Sequence, residues 1–403
     1  MKLNKFLILS LLGTSGMILT SCGKSGEAGQ KPVIWFNRQP SNPDTGELDN
    51  AALTFNDYTA YVGFDAAGGG AVQGQMIVDY IKANINGLDK NGDRKLGYVL
   101  CIGDQGHNDS QARTKGIREA LGTWDGGTAA DKKKVGSIKV GETTYEVVEL
   151  AAQEMKEGTE TWNATKAAEV TNQWYSELGN KIDLCISNND GMGMGAYNKW
   201  AKAAKVPTFG YDANTDAVQA IGDSTFAFAG TVTQHAEVQA YATLRAARNA
   251  IDGMKVTDGD FWKTGFDTAD DAGGKLSSEF KVSNDKRNFY ALNGAVTKEN
   301  QSKFSDATAV DSGIKQLDSS KHPEKKVWIN LYNAGDNFLS STYKPLLEKY
   351  AKLLNLKLTF NDGDGTNETS VSDKLADGYD AYCINLVRTN SAKTYTDKIA
   401  NYK

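Results

Sequence analysis

"VWINLYNAGDNF", residues 327–338, reads as an apolar strand that runs into a loop of Asn, Gly and Asp, the opening βα unit of an α/β domain. It stands near the end of a 403-residue chain, not at its start. Upstream and downstream the same rhythm continues. Short apolar runs at 33–37, 96–102, 183–187, 206–210, 226–231, 327–331, 357–360 and 381–386 read as strands. Amphipathic segments at 73–84, 110–121, 164–178, 192–204, 236–251, 338–354 and 391–403 read as helices. Strand and helix in alternation predict parallel sheets covered on both faces. A chain of this length exceeds one ordinary core, so the prediction is two doubly wound, Rossmann-like lobes. Two stretches break the rhythm: 307–326 carries neither period and reads as a linker, and 252–283, rich in Gly, Asp and Thr, is expected to hold little regular structure.

Lys2 and Lys5 precede an apolar run over 6–19, the pattern of a secretory signal and too short to span a bilayer. The run ends in "LTSC", which resembles the lipobox of bacterial lipoproteins, where the cysteine carries the lipid. The expectation is removal of residues 1–21, a lipid on Cys22 and a spacer to residue 31; the alternative is an ordinary signal peptide with an incidental cysteine. Loss of two lysines takes the net charge from −5 to about −7, which invites no nucleic acid. With 40% hydrophobic and 24% charged residues the chain is ordinary globular material. Cys101, Cys185 and Cys383 each lie inside an apolar run, so they read as buried, unpaired thiols.

Four further stretches carry a family resemblance: "VIWFNRQPS" at 33–41, "GHNDSQAR" at 106–113, "ISNNDGMGMGA" at 186–196 and "FGYDANTDAV" at 209–218. They resemble the galactose/glucose-binding proteins of bacterial sugar transport, type I periplasmic binding proteins with two Rossmann-like lobes joined by a hinge. The order is displaced, because family members open with a strand like 327–338 and reach a segment like "PVIWFN" only later. The chain therefore looks circularly permuted. Its last helix, ending "YTDKIANYK", would lead into Lys31, and 307–326 would tie the family's C-terminal end to its N-terminal strand. Such a cut is physically tolerable because domain termini lie at the surface, often close together. Two unrelated half-domains fused in one chain are the alternative. The implied division is 32–61, 236–287 and 327–403 in lobe 1, and 62–235 and 288–306 in lobe 2.

The resemblance implies a binding site between the lobes. Asp336 would take a sugar hydroxyl at C4 and Phe338 would cover one ring face, with Asn37 reaching from the same lobe. From the other lobe would come His107, Asp109, Arg113, Asn189 and Asp212, with Trp162 on the opposite ring face. These residue types suit sugars, whose hydroxyls pair with carboxylates, amides and Arg and whose apolar faces pack on aromatic rings. Each also has a plain structural reading: Asp336, Asp109 and Asp212 as helix N-caps, Phe338 and Trp162 as core. Gln234 stands where the family carries Asn. The added methylene requires its amide to fold back or to meet a different hydroxyl, which bears on epimer choice.

"DKNGDRKLG", 89–97, offers oxygens from Asp89, Asn91, Asp93 and the Lys95 carbonyl, the front half of a calcium loop. Arg94 and Leu100 replace the Gly and Glu an EF-hand requires. The family closes this loop with a side-chain oxygen and a distant Glu; here Gly97 and Asp183 hold those places. Weakened Ca²⁺ binding is expected, with a solvated Asx-turn loop as the alternative. No phosphate loop or Ser/His/Asp arrangement is present in "GFDAAGGGAVQG" or around His107, His235 and His322. The resulting expectation is a lipid-anchored extracytoplasmic receptor that delivers D-glucose or D-galactose to an ABC importer. The rivals are a sugar sensor for a chemoreceptor and a sugar-processing enzyme that uses His107, Asp109 and Asp336 as acid and base.

Overall fold

The computed structural model describes residues 30–42, 48–126, 135–266, 280–305 and 313–402. Cys22 and its leader, the first part of the 307–326 segment and residues 267–279 lie outside them. Strands are numbered along the chain. One sheet contains β1 (Val33–Phe36), β2 (Ala60–Phe64), β9 (Phe280–Val282), β10 (Asn288–Ala291), β12 (Lys325–Leu331), β13 (Leu356–Asp362) and β14 (Ala381–Ile384). Their order is β13-β12-β14-β1-β2-β10-β9, parallel except for the antiparallel edge pair β10/β9. Counted from β12, the first five strands follow the doubly wound order 2-1-3-4-5. Residues 33–36 are buried on both faces, which is why the run is continuously apolar and does not alternate.

The second sheet holds β3 (Lys95–Ile102), β4 (Gly136–Val140), β5 (Thr143–Glu154), β6 (Leu184–Ser187) and β7 (Thr208–Phe209) in the order β4-β5-β3-β6-β7. A bridge from Phe209 to Gly230 carries it towards the antiparallel pair β8 (Thr231–Thr233) and β11 (Gly294–Val296). The chain passes between lobes after Phe64 and after Ala291, because β2 and β10 pair within the first sheet. Those crossings lie a few residues beyond the boundaries expected at 61/62 and 287/288. Asn293 ties them together, donating to the Asp65 carbonyl at 2.7 Å and accepting from the Tyr211 hydroxyl at 2.5 Å.

The helices Ala164–Leu178 and Ala236–Ile251 match their expected spans. The segments 192–204 and 338–354 are helical but each is interrupted by a π turn, at Tyr197–Ala201 and Leu339–Tyr343. The strand expected at 226–231 is displaced to β8. The long strand β5 was not expected, since most of its residues are only half covered and Glu146 and Glu149 interrupt its apolar run. The polar segment after 312 is not loose: Leu317 is buried and donates to the Leu353 carbonyl, and Arg248 donates to the Pro323 carbonyl. Cys101, Cys185 and Cys383 are buried and unpaired.

Candidate functional site

Asp65 caps the helix Ala66–Leu88 by accepting from the Gly68 amide, and that helix crosses Asn108–Ala120 at very short range. A Cβ on Gly70 would fall 2.3 Å from the Ala112 carbonyl oxygen, and one on Gly116 would fall 2.2 Å from the Gly70 carbonyl carbon. The glycines of "AAGGG" thus let the backbones touch. This contact sets the position of the helix that carries His107, Asp109 and Arg113.

All ten residues expected at the ligand site line one cavity between the lobes: Asn37, His107, Asp109, Arg113, Trp162, Asn189, Asp212, Gln234, Asp336 and Phe338. Arg38, Tyr332 and Leu339 line it as well and were not foreseen. Arg38 and Tyr332 directly follow Asn37 and β12, so the rule that ligands bind at the carboxyl ends of parallel strands offered a signal for both. The cavity volume is about 40 Å³.

Within the site, roles divide. His107 caps its helix, its Nδ1 accepting from the Asp109 amide, while its Nε2 is buried with no partner among the described residues. Burial, then the positive Arg38 and Arg113, hold His107 well below the usual imidazole range, so it is neutral. Arg113 donates to the Asn188 carbonyl at 2.7 Å, lies 3.5 Å from Asp212 and spreads over the Tyr211 ring at 3.6 Å. Its Nε is buried without an acceptor among the described residues. Burial pushes the Asp212 carboxyl up to about 7 against the pull of Arg113, and burial likewise raises Asp109. Trp162 meets His107 edge to face and lies so close to Gly103 that a Cβ there would be 2.3 Å from its ring.

Asn189 accepts from the Met192 amide and Asp336 from the Leu339 amide, so both are caps as well as cavity walls. Asp336 also accepts from the Tyr332 hydroxyl. Asn385 donates to Asn37 Oδ1 at 3.0 Å and accepts from the Tyr332 amide, which fixes two lining residues from behind. Gln234 folds back: its Nε2 donates to Asp212 at 2.9 Å and its Oε1 accepts from Gln239. Its amide orients Asp212 in place of reaching outward.

In the 89–97 loop, Asp93 accepts from the Lys95 amide and the Asn91 amide group, while the Asp93 amide donates to Asn91 Oδ1, the pattern of an Asx turn. Asp183 accepts from the Gly97 amide, and a Cβ on Gly97 would lie 2.2 Å from the Lys181 carbonyl oxygen, which bars a side-chain ligand at that position. Asp89 Oδ1 is buried without a partner among the described residues, and burial pushes Asp183 up to about 6. Among the described residues no three His, Cys, Asp or Glu side chains converge as a metal requires.

Two models described as periplasmic binding protein domain match the chain, one over residues 26–255 and one over 324–392. The D-galactose/methyl-galactoside binding periplasmic protein MglB of Haemophilus influenzae is 31% identical over 58% of this chain and 60% of its own length. The xylitol-binding protein of Mycolicibacterium smegmatis is 28% identical over 51% and 49%. The chain thus aligns with about half to three-fifths of the curated relatives it matches. A solved periplasmic solute-binding protein of an ABC transporter from Actinobacillus succinogenes, with bound D-allose, is 17% identical over 68% of this chain and 70% of its own, with a TM-score of 0.44.

Proposed function

The chain belongs to the periplasmic binding protein domain family, and from that premise we propose that it is an extracytoplasmic receptor for a pyranose, glucose or galactose first. The observation that carries this reading is the cavity itself. It gathers three carboxylates, two arginines and three aromatic rings (Trp162, Tyr332 and Phe338) from both lobes, with His107 Nε2 and Arg113 Nε buried and unpaired among the described residues. An unpaired buried donor or acceptor costs about 1–3 kcal/mol, which ligand hydroxyls would recover. No bond needs to break. The D-galactose named for the Haemophilus influenzae relative is the first candidate, and delivery to an ABC importer fits the family. A chemoreceptor remains a second destination for the same closed, loaded form.

The test is calorimetric titration of the purified protein with D-glucose, D-galactose and D-ribose. Tight binding of a hexose is expected, weakened about 10- to 100-fold by Asp336→Ala or Trp162→Ala. Silence toward all three would sink the reading, and turnover of a bound sugar would favour the enzyme. A thermal melt with and without chelator addresses Ca²⁺, which we propose binds weakly through Asp89, Asn91, Asp93, the Lys95 carbonyl and Asp183, the carboxylates drawing together only on binding, with Asp89 Oδ1, unpaired among the described residues, in support. A melting midpoint indifferent to millimolar Ca²⁺ rejects that site.

The lipid on Cys22 belongs to the same proposal, with "LTSC" in support. Cys22→Ser is expected to move the protein from the membrane fraction to the soluble one. The strand order that starts at β12, and a last helix (Ala392–Ile399) whose Ile399 shares a core cluster with Val33 of β1, support a circular permutation of the family fold.

A further inference from the structure

We infer that the ligand is a glycoside, with one pyranose in the inner cavity and a second sugar unit in a larger outer cavity continuous with it. This rests on the sugar-binding reading above and concerns the class of sugar. The outer cavity has a volume of about 500 Å³, against about 40 Å³ for the inner one. The two share a wall: Arg38, Trp162, Tyr332 and Phe338 border both. A ring gripped inside therefore presents any substituent at its rim directly to the outer space.

The lining beyond that wall suits a hydrated ring. Lys156, Asn333, Asn337, Thr366 and Arg388 bring amides, a hydroxyl and two cations, the groups that pair with sugar oxygens. Arg38 stands at the junction. It is 6% exposed, sits over the Tyr332 ring at 3.4 Å from its centroid and is held to the Val387 carbonyl at 2.7 Å through Nη1. A guanidinium has five N–H donors, so this anchoring leaves others for an oxygen that bridges the cavities. Trp162 supplies a second buried donor, Nε1, with no partner among the described residues. A single pyranose inside the inner cavity leaves the outer lining hydrated; a second ring would engage it.

The experiment is calorimetric titration of the whole protein with D-galactose and D-glucose, then with lactose, melibiose and maltose. At least one disaccharide is expected to bind as tightly as its component monosaccharide or more so. Thr366→Trp, which fills the outer cavity alone, is expected to weaken that disaccharide at least tenfold while monosaccharide affinity stays within twofold, which also shows that the variant folds. Monosaccharide binding with every disaccharide at least tenfold weaker would overturn the inference and leave the sugar reading standing. Silence toward all five sugars would overturn both.

Discussion

Asn37, Trp162 and Asp212 hold positive φ angles of 60°, 59° and 112°, in a region that residues other than glycine rarely occupy. Such conformations cost on the order of 1–3 kcal/mol each and persist where surrounding structure over-determines them. Here three of them face one cavity. Asp212 is the most consequential, because burial lifts its carboxyl to about 7 although Arg113 lies 3.5 Å away; the negative Asp336 and Asp109 add to the rise, and the Gln234 amide opposes it. Raised above the ordinary 3.8, this group keeps a proton in the folded state that the unfolded chain has lost between about pH 4 and 7. It therefore lowers stability progressively as pH rises through that window and adds no further change above it. Ligand binding has the opposite slope, since a sugar hydroxyl donates to the carboxylate. Hexose affinity is expected to fall by up to about tenfold from pH 8 to pH 6, and the Asp212→Asn variant to bind weakly with a flat profile. A wild-type profile equally flat would show that Asp212 does not accept from the ligand. The identities of Asp212 and its neighbours were readable in family-like stretches, but the role of Gln234 was not: one added methylene permits two outcomes, and only the position of Gln239 behind it selects the folded-back one.

Glycine carries the packing of the elements that hold the site. The helices Ala66–Leu88 and Asn108–Ala120 meet through Gly70, Gly74 and Gly116, where each added Cβ would lie within 2.6 Å of the opposing helix. Gly116→Val would force them apart at a cost of about 1–3 kcal/mol, read as a melting midpoint lower by roughly 5 °C. The same displacement moves Asp109 and Arg113, so sugar affinity should fall with it. A variant that melts and binds like wild type would show that the crossing does not set the site. "AAGGGAVQG" lies at the start of the helix expected at 73–84, but its four glycines point to no partner until the second helix is in place. β5 shows the converse limit. Its buried Glu149 accepts from Arg118 Nε at 2.8 Å and Nη2 at 2.9 Å and from the Tyr98 hydroxyl at 2.8 Å, and this pairing allows a carboxylate inside the strand.

Across the whole molecule, chain order and spatial order disagree, and the first sheet is where this is seen. β12, the strand that opens the 2-1-3-4-5 order, is the twelfth in sequence, and β14 pairs with β1 through Val33–Tyr382, Ile34–Cys383 and Trp35–Ile384. Under the permutation proposed above, a rearranged chain that starts at Lys325, joins Tyr402 to Lys31 by a short loop and ends near Phe304 should fold and bind sugar with affinity within a few-fold of the natural order. Failure to fold under conditions where the natural chain does would argue that the present order is required. The amino-acid sequence by itself determined the α/β class and the parallel strands, because both-face burial demands unbroken apolar runs, and ten of the thirteen cavity residues followed from the family resemblance, whose motifs are local in sequence. The tertiary structure alone decided where the lobes cross, how Arg38 and Tyr332 enter the site, which polar groups are already spent on caps and neighbours, and how far the cleft extends beyond one ring. Those depend on contacts between segments up to 349 residues apart, such as Arg38 with Val387, and no local pattern encodes such a distance.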